Sequence, residues 1–358
     1  MDRIWWENII KAKAFIQLIC DSASLKHSIL LSLPKHIPWK DTFVDIINEK
    51  LKMESPHMKL DFHECPSSDP GEFIFKKYCS PDIKTRYRPG KSYAQFLGQC
   101  QETVLNDRYV WIHNVSIEKI DKWINFVNEY NKFINGKEPG IFILEANDID
   151  LQNKSIKGGK TIIYNNNISD YDRYAFCALL SSKTNCKDYI RPYFAELISS
   201  ICGEDIELCA NCVSKGISFL ENPFMIVQQI VKLECREDGT KYNLDKKKEE
   251  FEENVWETQI KYAFPLIESF RKNFIKKYKK DIDASLPLQN NFGEKIERLE
   301  DVEIGMLKYL ADIGKISITT SDYISLNLYR NTRNYLAHMK TLDNNVLFQI
   351  LKNGKSVI

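Results

Sequence analysis

Near the end of the chain, Arg333-Asn334-Tyr335-Leu336-Ala337-His338 brings together side chains suited to phosphate chemistry. At about 100° per helical residue, Arg330, Asn334 and His338 fall within roughly 80° of one another on one helix face. An imidazole moves a proton near neutral pH, a guanidinium stabilises charge developing on a phosphate, and a carboxamide can orient either group. This combination predicts metal-free cleavage of RNA.

A second feature is the basic run from Phe270 to Lys280, FRKNFIKKYKK, in which aromatic residues alternate with positive charges. Such a run can follow a nucleic-acid backbone while an aromatic ring stacks on a base. The alternative is a solvated basic face whose aromatics point into the core, and helical spacing favours this alternative for Phe270 and Phe274. The candidate RNA-binding residues are Arg330, Lys276, Lys277, Lys279 and Lys280.

The elements that must position these residues are helices. Apolar residues at helical spacing predict a long helix over Glu249–Lys280, a second over Asp301–Ile313 and a third over Ser321–Met339. Pro265 predicts a kink or break in the first. On the long helix Glu268 and Arg271 can pair, and Glu303 at the start of the next can position the motif, although surface ion pairing is the commoner explanation.

The motif resembles the R-N-x-x-x-H signature of the HEPN superfamily, with Arg333, Asn334 and His338 at the matching positions. The resemblance covers residues 249–358 and implies a bundle of four or five helices. Active members of this superfamily are metal-independent endoribonucleases that usually work as dimers, and many act as toxins or in anti-phage defence. Other members are non-catalytic. The alternative reading is therefore a binding or dimerisation module that serves as partner in a defence complex.

The mechanism that this resemblance implies is attack by the RNA 2′-hydroxyl on the adjacent phosphate, with no metal and no cofactor. His338 would be the acid or base, Arg333 the phosphate clamp and Asn334 the positioning group. Because Arg333 and His338 lie about 140° apart on a straight helix, one copy spreads them around the axis. Pairing across a two-fold axis would gather them, so we expect a homodimer through the C-terminal domain.

The first half of the chain alternates short apolar runs with amphipathic stretches, which predicts a parallel, doubly wound five-stranded sheet. Residues 1–165 form this α/β core, residues 170–235 a helical lid over it, and residues 236–248 a charged linker to the helical bundle at 249–358. The predicted strands are Ser28–Leu33, Lys59–His63, Tyr109–His113, Ile141–Glu145 and Thr161–Tyr164.

The order of these elements resembles AAA+/STAND P-loop NTPases without their phosphate-binding residues. The segment after the first strand, Pro34-Lys35-His36-Ile37-Pro38-Trp39-Lys40-Asp41, matches the P-loop only at Lys40. Its two prolines lack the N–H donors that a phosphate nest uses. We infer a degenerate P-loop NTPase-like domain, with no catalytic or cofactor-binding residue assigned there. Any five-stranded α/β scaffold is the alternative, and an active ATPase is the least favoured reading.

Composition sets the remaining limits. The 358 residues are 43% hydrophobic with a formal net charge of +1, so RNA contact must come from a local patch. No run of about 18 apolar residues predicts a membrane span. The first residues predict an amphipathic helix that packs Trp6, Ile10 and Phe15 inward. The ten cysteines, including Cys209-x-x-Cys212, are typical of buried cytoplasmic thiols. Beyond RNA and a second copy, we expect a regulatory partner or inhibitor.

Overall fold

The computed structural model describes residues 1–100, 104–134, 138–147, 151–164, 169–289 and 293–355. The chain forms two compact units, Met1–Asp172 with Glu237–Gly239, and Arg173–Arg236 with Thr240–Ile358. The predicted lid and bundle therefore belong to one unit, because the lid helix Arg191–Cys202 packs along the long helix Lys248–Lys277. Within the predicted bundle, residues 290–292 and 356–358 lie outside the described ranges.

A five-stranded parallel sheet forms the centre of the first unit, in the order β2-β3-β4-β1-β5. All four strand pairings are parallel, which confirms the predicted sheet. Each predicted strand is present, with ends that differ by at most two residues. The strands are β1 Ile29–Leu33, β2 Lys59–Glu64, β3 Arg108–His113, β4 Ile141–Asn147 and β5 Lys160–Ile163.

Helices pack on both faces of this sheet, because successive side chains of a strand point to opposite faces. On β3, Trp111 contacts Phe43 of helix Lys40–Glu54, whereas Val110 and Ile112 belong to the core cluster that contains Trp123 of helix Ile117–Phe133. The doubly wound arrangement is thus confirmed. The helices are α1 Asp2–Asn8, α2 Ile10–Ser24, α3 Lys40–Glu54, α4 Pro70–Tyr78, α5 Pro81–Thr85, α6 Tyr93–Gln99 and α7 Ile117–Phe133.

The N-terminal segment forms two helices instead of one. Ile9 adopts an extended conformation between α1 and α2, which changes the face that each helix buries. Trp6 is buried as predicted, and Phe15 is half-buried against Phe43. The prediction for Ile10 is wrong, since 81% of this residue is exposed.

The described residues of the second unit form helices, a short hairpin of β6 Leu288–Gln289 with β7 Lys295–Ile296, and an isolated bridge between Cys235 and Lys241. The long helix α12 continues through Pro265 without a break. Neither the hairpin nor the last helix was predicted. The helices are α8 Asp170–Ser181, which begins in the first unit, α9 Arg191–Cys202, α10 Ile206–Ser214, α11 Pro223–Leu233, α12 Lys248–Lys277, α13 Lys279–Asp283, α14 Ile304–Asp312, α15 Thr320–Ala337 and α16 Asn344–Lys355.

The core of the second unit forms where α12 packs against α9, α15 and α16, while α14 packs against α15. Cys209 and Cys212 are fully buried in α10, as predicted, and the Cys202 Sγ lies 3.6 Å from the Cys212 Sγ. Among the described residues, no helix is long and apolar enough to cross a membrane.

Candidate active site

The motif lies at the C-terminal end of α15. The helix begins at a reciprocal cap, in which Thr319 Oγ1 accepts a hydrogen bond from the backbone N–H of Asp322 and donates one to its carboxylate at 2.7 Å. It ends at His338, whose backbone N–H donates to the carbonyl of Asn334 at 3.1 Å. His338 is therefore the capping residue and not part of the regular helix.

The chain turns away from α15 at Met339, which has a φ of 57°. The N–H of Met339 donates to the carbonyl of Leu336, and the N–H of Lys340 donates to that of Tyr335. These two bonds form a Schellman motif, in which glycine normally occupies the left-handed position. The motif fixes the backbone next to His338 but leaves its imidazole exposed.

Arg333 projects toward the start of α14. Its Nη2 lies 3.7 Å from Oε2 of Glu303, and 41% of its side chain is exposed. Together with Glu268, Arg271 and Glu300, Arg333 and Glu303 line an open pocket of 260 Å³. The predicted pair is present, because Arg271 Nε donates to Glu268 at 2.9 Å, and Arg271 also donates to the carbonyls of Glu300 and Val302. Carboxylates thus surround the predicted phosphate clamp.

His338 lies beside a different pocket. Its sequence neighbours Tyr335 and Met339 line an open cavity of 630 Å³ with Trp256 and several glutamates of α12. Within the described ranges, neither the His338 ring nor the Asn334 carboxamide makes a hydrogen bond. Arg333 thus lines the first pocket, His338 lines neither of the two, and no contact joins these two side chains within the described ranges.

The basic run lies at the other end of the α12–α15 pair. Lys277 Nζ lies 2.7 Å from Asp322 Oδ2, whereas Trp256 Nε1 donates to the carbonyl of Leu336 at 2.8 Å. The helices are thus antiparallel, and positions 322 and 338 are separated by roughly 24 Å along α15. In one chain the predicted RNA-binding lysines and His338 cannot contact the same phosphate.

The side chains of the basic run divide between packing and solvent. Phe274 is buried, and Phe270 stacks on Tyr329 with ring centroids 4.1 Å apart. The prediction that these two aromatics face the core is confirmed. Lys277 pairs with Asp322, and Tyr278 donates a hydrogen bond to the same carboxylate. The contact with Lys277, followed by that with Tyr278, lowers the pKa of Asp322 to about 2. The other candidate lysines, Lys276, Lys279 and Lys280, are exposed.

Arg330 lies on α15 between these two ends and is half-buried. Its charge contributes to the lowered pKa of Asp312 on α14, behind the larger effects of the Lys308 and Tyr323 hydrogen bonds. Arg330 is thus placed toward α14, eight positions before His338, which corresponds to roughly 12 Å along a helix.

In the first unit, the residues at the degenerate P-loop are engaged with the protein itself. Lys40 Nζ lies 2.6 Å from Oε1 of Glu145, a fully buried side chain on β4. The indole of Trp111 donates to the other carboxylate oxygen at 3.0 Å. Thr42 donates to Asp2 at 2.7 Å. Sequence analysis singled out Lys40 but missed its pairing with Glu145, for which an acidic residue in an apolar strand was the only signal.

His113, at the end of β3, borders this buried pair. Its ring stacks on Phe62 with centroids 4.3 Å apart. Burial lowers the pKa of His113, and the nearby charge of Lys40 lowers it further. The site therefore favours a neutral imidazole at physiological pH. The ring thus packs against Phe62 of the neighbouring strand β2 at the carboxyl end of β3.

No family model matches the chain, and no curated protein matches it. Among solved structures, it is similar to Cdc6p from Pyrobaculum aerophilum, with 12% identity, 99% of this chain and 98% of that chain covered, and a TM-score of 0.40. A RuvB variant from Thermotoga maritima gives 12% identity, 90% and 94% coverage, and a TM-score of 0.37. Drosophila ORC bound to DNA is 11% identical, with 99% of this chain and 98% of that chain covered and a TM-score of 0.39.

These solved structures are P-loop ATPases of the AAA+ class. At identities of 11–12% and TM-scores of 0.40 or lower, the likeness supports neither a fold nor a function for this chain. The parallel five-stranded α/β sheet of the first unit stands on the strand pairings described above. The HEPN resemblance of the second unit stays a prediction.

Proposed function

We propose that this protein is a metal-independent endoribonuclease effector, acting as a toxin or in anti-phage defence. The observation that carries the proposal is that the polar side chains of the motif, at the end of α15, are not engaged in hydrogen bonds within the described part of the bundle. Arg333, Asn334 and His338 match the R-N-x-x-x-H signature in sequence, and their side chains make no hydrogen bond to any other described residue. Only the 3.7 Å contact with Glu303 engages one of them. Polar side chains left free in this way are available to a substrate.

The chemistry would proceed by attack of the RNA 2′-hydroxyl on the adjacent phosphate. His338 would move the proton as base or acid, and Arg333 would bind the phosphate oxygens in place of Glu303. Asn334 would position one of them. The bond to the 5′-oxygen breaks, so the products are a 2′,3′-cyclic phosphate and a 5′-hydroxyl. DNA lacks the attacking hydroxyl and should remain intact.

A homodimer through the second unit, and a regulatory partner or inhibitor, belong to the same proposal. A second copy is needed because Arg333 and His338 diverge in one chain. Restraint is needed because an unregulated ribonuclease would degrade the RNA of its own cell.

One observation favours the alternative, a non-catalytic binding or dimerisation module with an NTPase-like scaffold. Carboxylates line the pockets on both sides of the motif, with Glu303 near Arg333, and Glu249 and Glu253 near Tyr335. Negative charge there repels an RNA backbone and attracts a basic protein surface. In addition, no described group orients the His338 ring, as a catalytic imidazole usually requires.

The test is cleavage of cellular RNA by the purified protein with a chelator present. Wild type should cleave, whereas His338→Ala and Arg333→Ala should be at least about 100-fold slower. His57→Ala, which removes an exposed histidine of the first unit, is the matched control and should cleave like wild type. Cleavage by both wild type and His338→Ala would place the activity elsewhere. A wild type that binds partner proteins but never cleaves would support the alternative.

A further inference from the structure

The long helix α12 presents one continuous exposed stripe to solvent. Its members are spaced three or four positions apart and are all exposed, from the first turn to the last. Such spacing keeps them on one face over a length of about 39 Å. We call these residues the α12 stripe: Glu250, Glu253, Glu257, Lys261, Pro265, Glu268, Lys272 and Lys276.

Charge is divided along this helix. Residues 248–262 contain five glutamates and two lysines, a net charge of −3, and residues 263–277 contain four basic residues and one glutamate, a net charge of +3. The helix dipole favours this order but acts only within the first and last turns. It does not account for Glu253, Glu257 and Lys272, which lie further inside.

Five of the seven charged members of the α12 stripe make no ion pair with a described residue. Among the described residues, Glu250, Glu253 and Glu257 at one end and Lys272 and Lys276 at the other make no ion pair. Glu268 is held by Arg271, and Lys261 by Glu196. The unpaired charges are thus negative at one end of the stripe and positive at the other.

We propose that a second copy of this chain docks antiparallel along the α12 stripe. A two-fold axis near position 263 places Glu250 opposite Lys276 of the second copy and Glu253 opposite Lys272 of the second copy. Each pair occurs twice, because the interface is isologous. The surface therefore complements itself, with four ion pairs arranged around the axis.

The centre of the stripe suits a two-fold contact. Lys261 and Pro265 flank the axis, so the exposed Pro265 of one copy comes opposite Lys261 of the second copy, a cation that is already paired with Glu196 of its own chain. Glu257 comes nearest Glu268 of the second copy, a carboxylate that Arg271 already neutralises at 2.9 Å. The central residues thus bring no unpaired charges together, and the four outer ion pairs set the register.

The docking has a consequence at the candidate active site, and this consequence rests on the proposed function. In one chain the lysines lie at the end of α12 opposite His338. In the antiparallel pair, Lys272 and Lys276 of one copy lie beside the N-terminal half of α12 of the other copy, which is the half that packs next to His338. The second copy would thus supply positive charge where the first has mainly carboxylates.

Paired charge-reversal variants test the interface. Glu250→Lys/Glu253→Lys makes both ends of the stripe positive, and Lys272→Glu/Lys276→Glu makes both ends negative. Each variant alone should dissociate, with a dimer dissociation constant raised roughly tenfold or more. Mixed one to one, the two should form a heterodimer. Glu249→Lys/Glu252→Lys carries the same charge change at the same helix end but off the stripe, and should dimerise like wild type.

Sedimentation equilibrium at low salt provides the readout, because it reports mass independently of RNA cleavage. A wild type that remains monomeric, or two reversal variants that remain dimeric, would overturn the inference, and the latter would indicate docking through another face such as α15. If the mass results hold but no RNA is cleaved, the interface stands and the ribonuclease proposal fails. If RNA is cleaved but the charge reversals leave dimerisation unchanged, the ribonuclease proposal stands and the proposed interface fails.

Discussion

Lys277 and Asp322 form an ion pair that joins the end of α12 to the start of α15, with Nζ 2.7 Å from Oδ2. Tyr278 and Thr319 donate hydrogen bonds to the same carboxylate. This arrangement turns one of the predicted RNA-binding lysines into a structural residue. It also places the remaining lysines at the opposite end of the helix pair from His338.

Stability at acidic pH should depend on Asp322. Lys277 is the main cause of its low pKa, about 2 against an ordinary 3.8. A carboxylate with a lowered pKa stabilises the fold above about pH 4, and this contribution is lost as pH falls through 2. Asp322→Asn should therefore cost about 1 kcal/mol at pH 7, and the difference from wild type should shrink below pH 4. Urea unfolding followed by circular dichroism measures it.

The exposed Asp283, which has no ion pair within the described ranges, supplies the control. Asp283→Asn should leave the unfolding curve unchanged at each pH. A difference between wild type and Asp322→Asn that stays constant from pH 7 to pH 3 would contradict the assigned role of the carboxylate.

RNA binding should separate Lys277 from its neighbours. Replacing Lys276, Lys279 and Lys280 with alanine should weaken RNA binding and reduce the slope of log K against log salt by roughly 0.7 for each phosphate that the variant no longer binds. Lys277→Ala should lower the unfolding midpoint instead, because it leaves Asp322 without its cation. Fluorescence anisotropy with a labelled single-stranded RNA, titrated with salt, measures the slope.

Three exposed lysines of the first unit, Lys13, Lys52 and Lys122, form the matched control for this change in charge. Their replacement by alanine should leave the slope as it is. Equal slopes for both triple variants would show that the basic run does not bind RNA.

The first unit should depend on the pair between Lys40 and Glu145. Among the described residues, Lys40→Met leaves the fully buried Glu145 carboxylate with the indole of Trp111 as its one remaining side-chain partner, and removing one partner of a buried pair costs about 3 kcal/mol. The loss should appear as a lower urea midpoint by tryptophan fluorescence. Lys52→Met, at an exposed position of α3, should change the midpoint little. Equal midpoints for the two variants would contradict a structural role for the pair.

Nucleotide should have no effect on that unit. Lys40 is engaged with Glu145, Thr42 with Asp2, and Pro34 and Pro38 offer no N–H to a phosphate. Adding ATP with magnesium should therefore leave the thermal midpoint unchanged. A rise in the midpoint would show a nucleotide-binding site, because a ligand that binds only the folded state stabilises it.

The turn beside His338 should become more stable with glycine. Met339 has a φ of 57°, a conformation that costs a residue with a side chain roughly 1 kcal/mol. Met339→Gly should therefore raise the free energy of unfolding by up to about 1 kcal/mol. Ala337→Gly, two positions earlier and still helical, should lower it by about the same amount. Two changes of the same sign would contradict the Schellman geometry.

The sequence was sufficient to locate the strands and most helices, because the periodicity of their apolar residues is a property of each local segment. The five apolar runs of the first unit became the five strands, and the spacing of Phe270 and Phe274 correctly indicated a buried face. No helix was predicted over α16, whose last residues are Gly354-Lys355, although at 12 residues it is longer than α14, for which a helix was predicted. Gly354 is required by tertiary packing, since an added Cβ would lie 2.5 Å from Leu266 Cδ2.

Which side chains meet was decided by the tertiary structure. Glu145 pairs with Lys40 across 105 positions, and Asp322 with Lys277 across 45. Local patterns carry no information on such partners, since they depend on how whole elements pack. The sequence by itself determined that Arg333, Asn334 and His338 share a helix end. Only the packing of α12 against α15 decided that the basic run lies far from them. Because the two helices run antiparallel, the C-terminal end of α12 lies beside the N-terminal end of α15, a helix length away from His338.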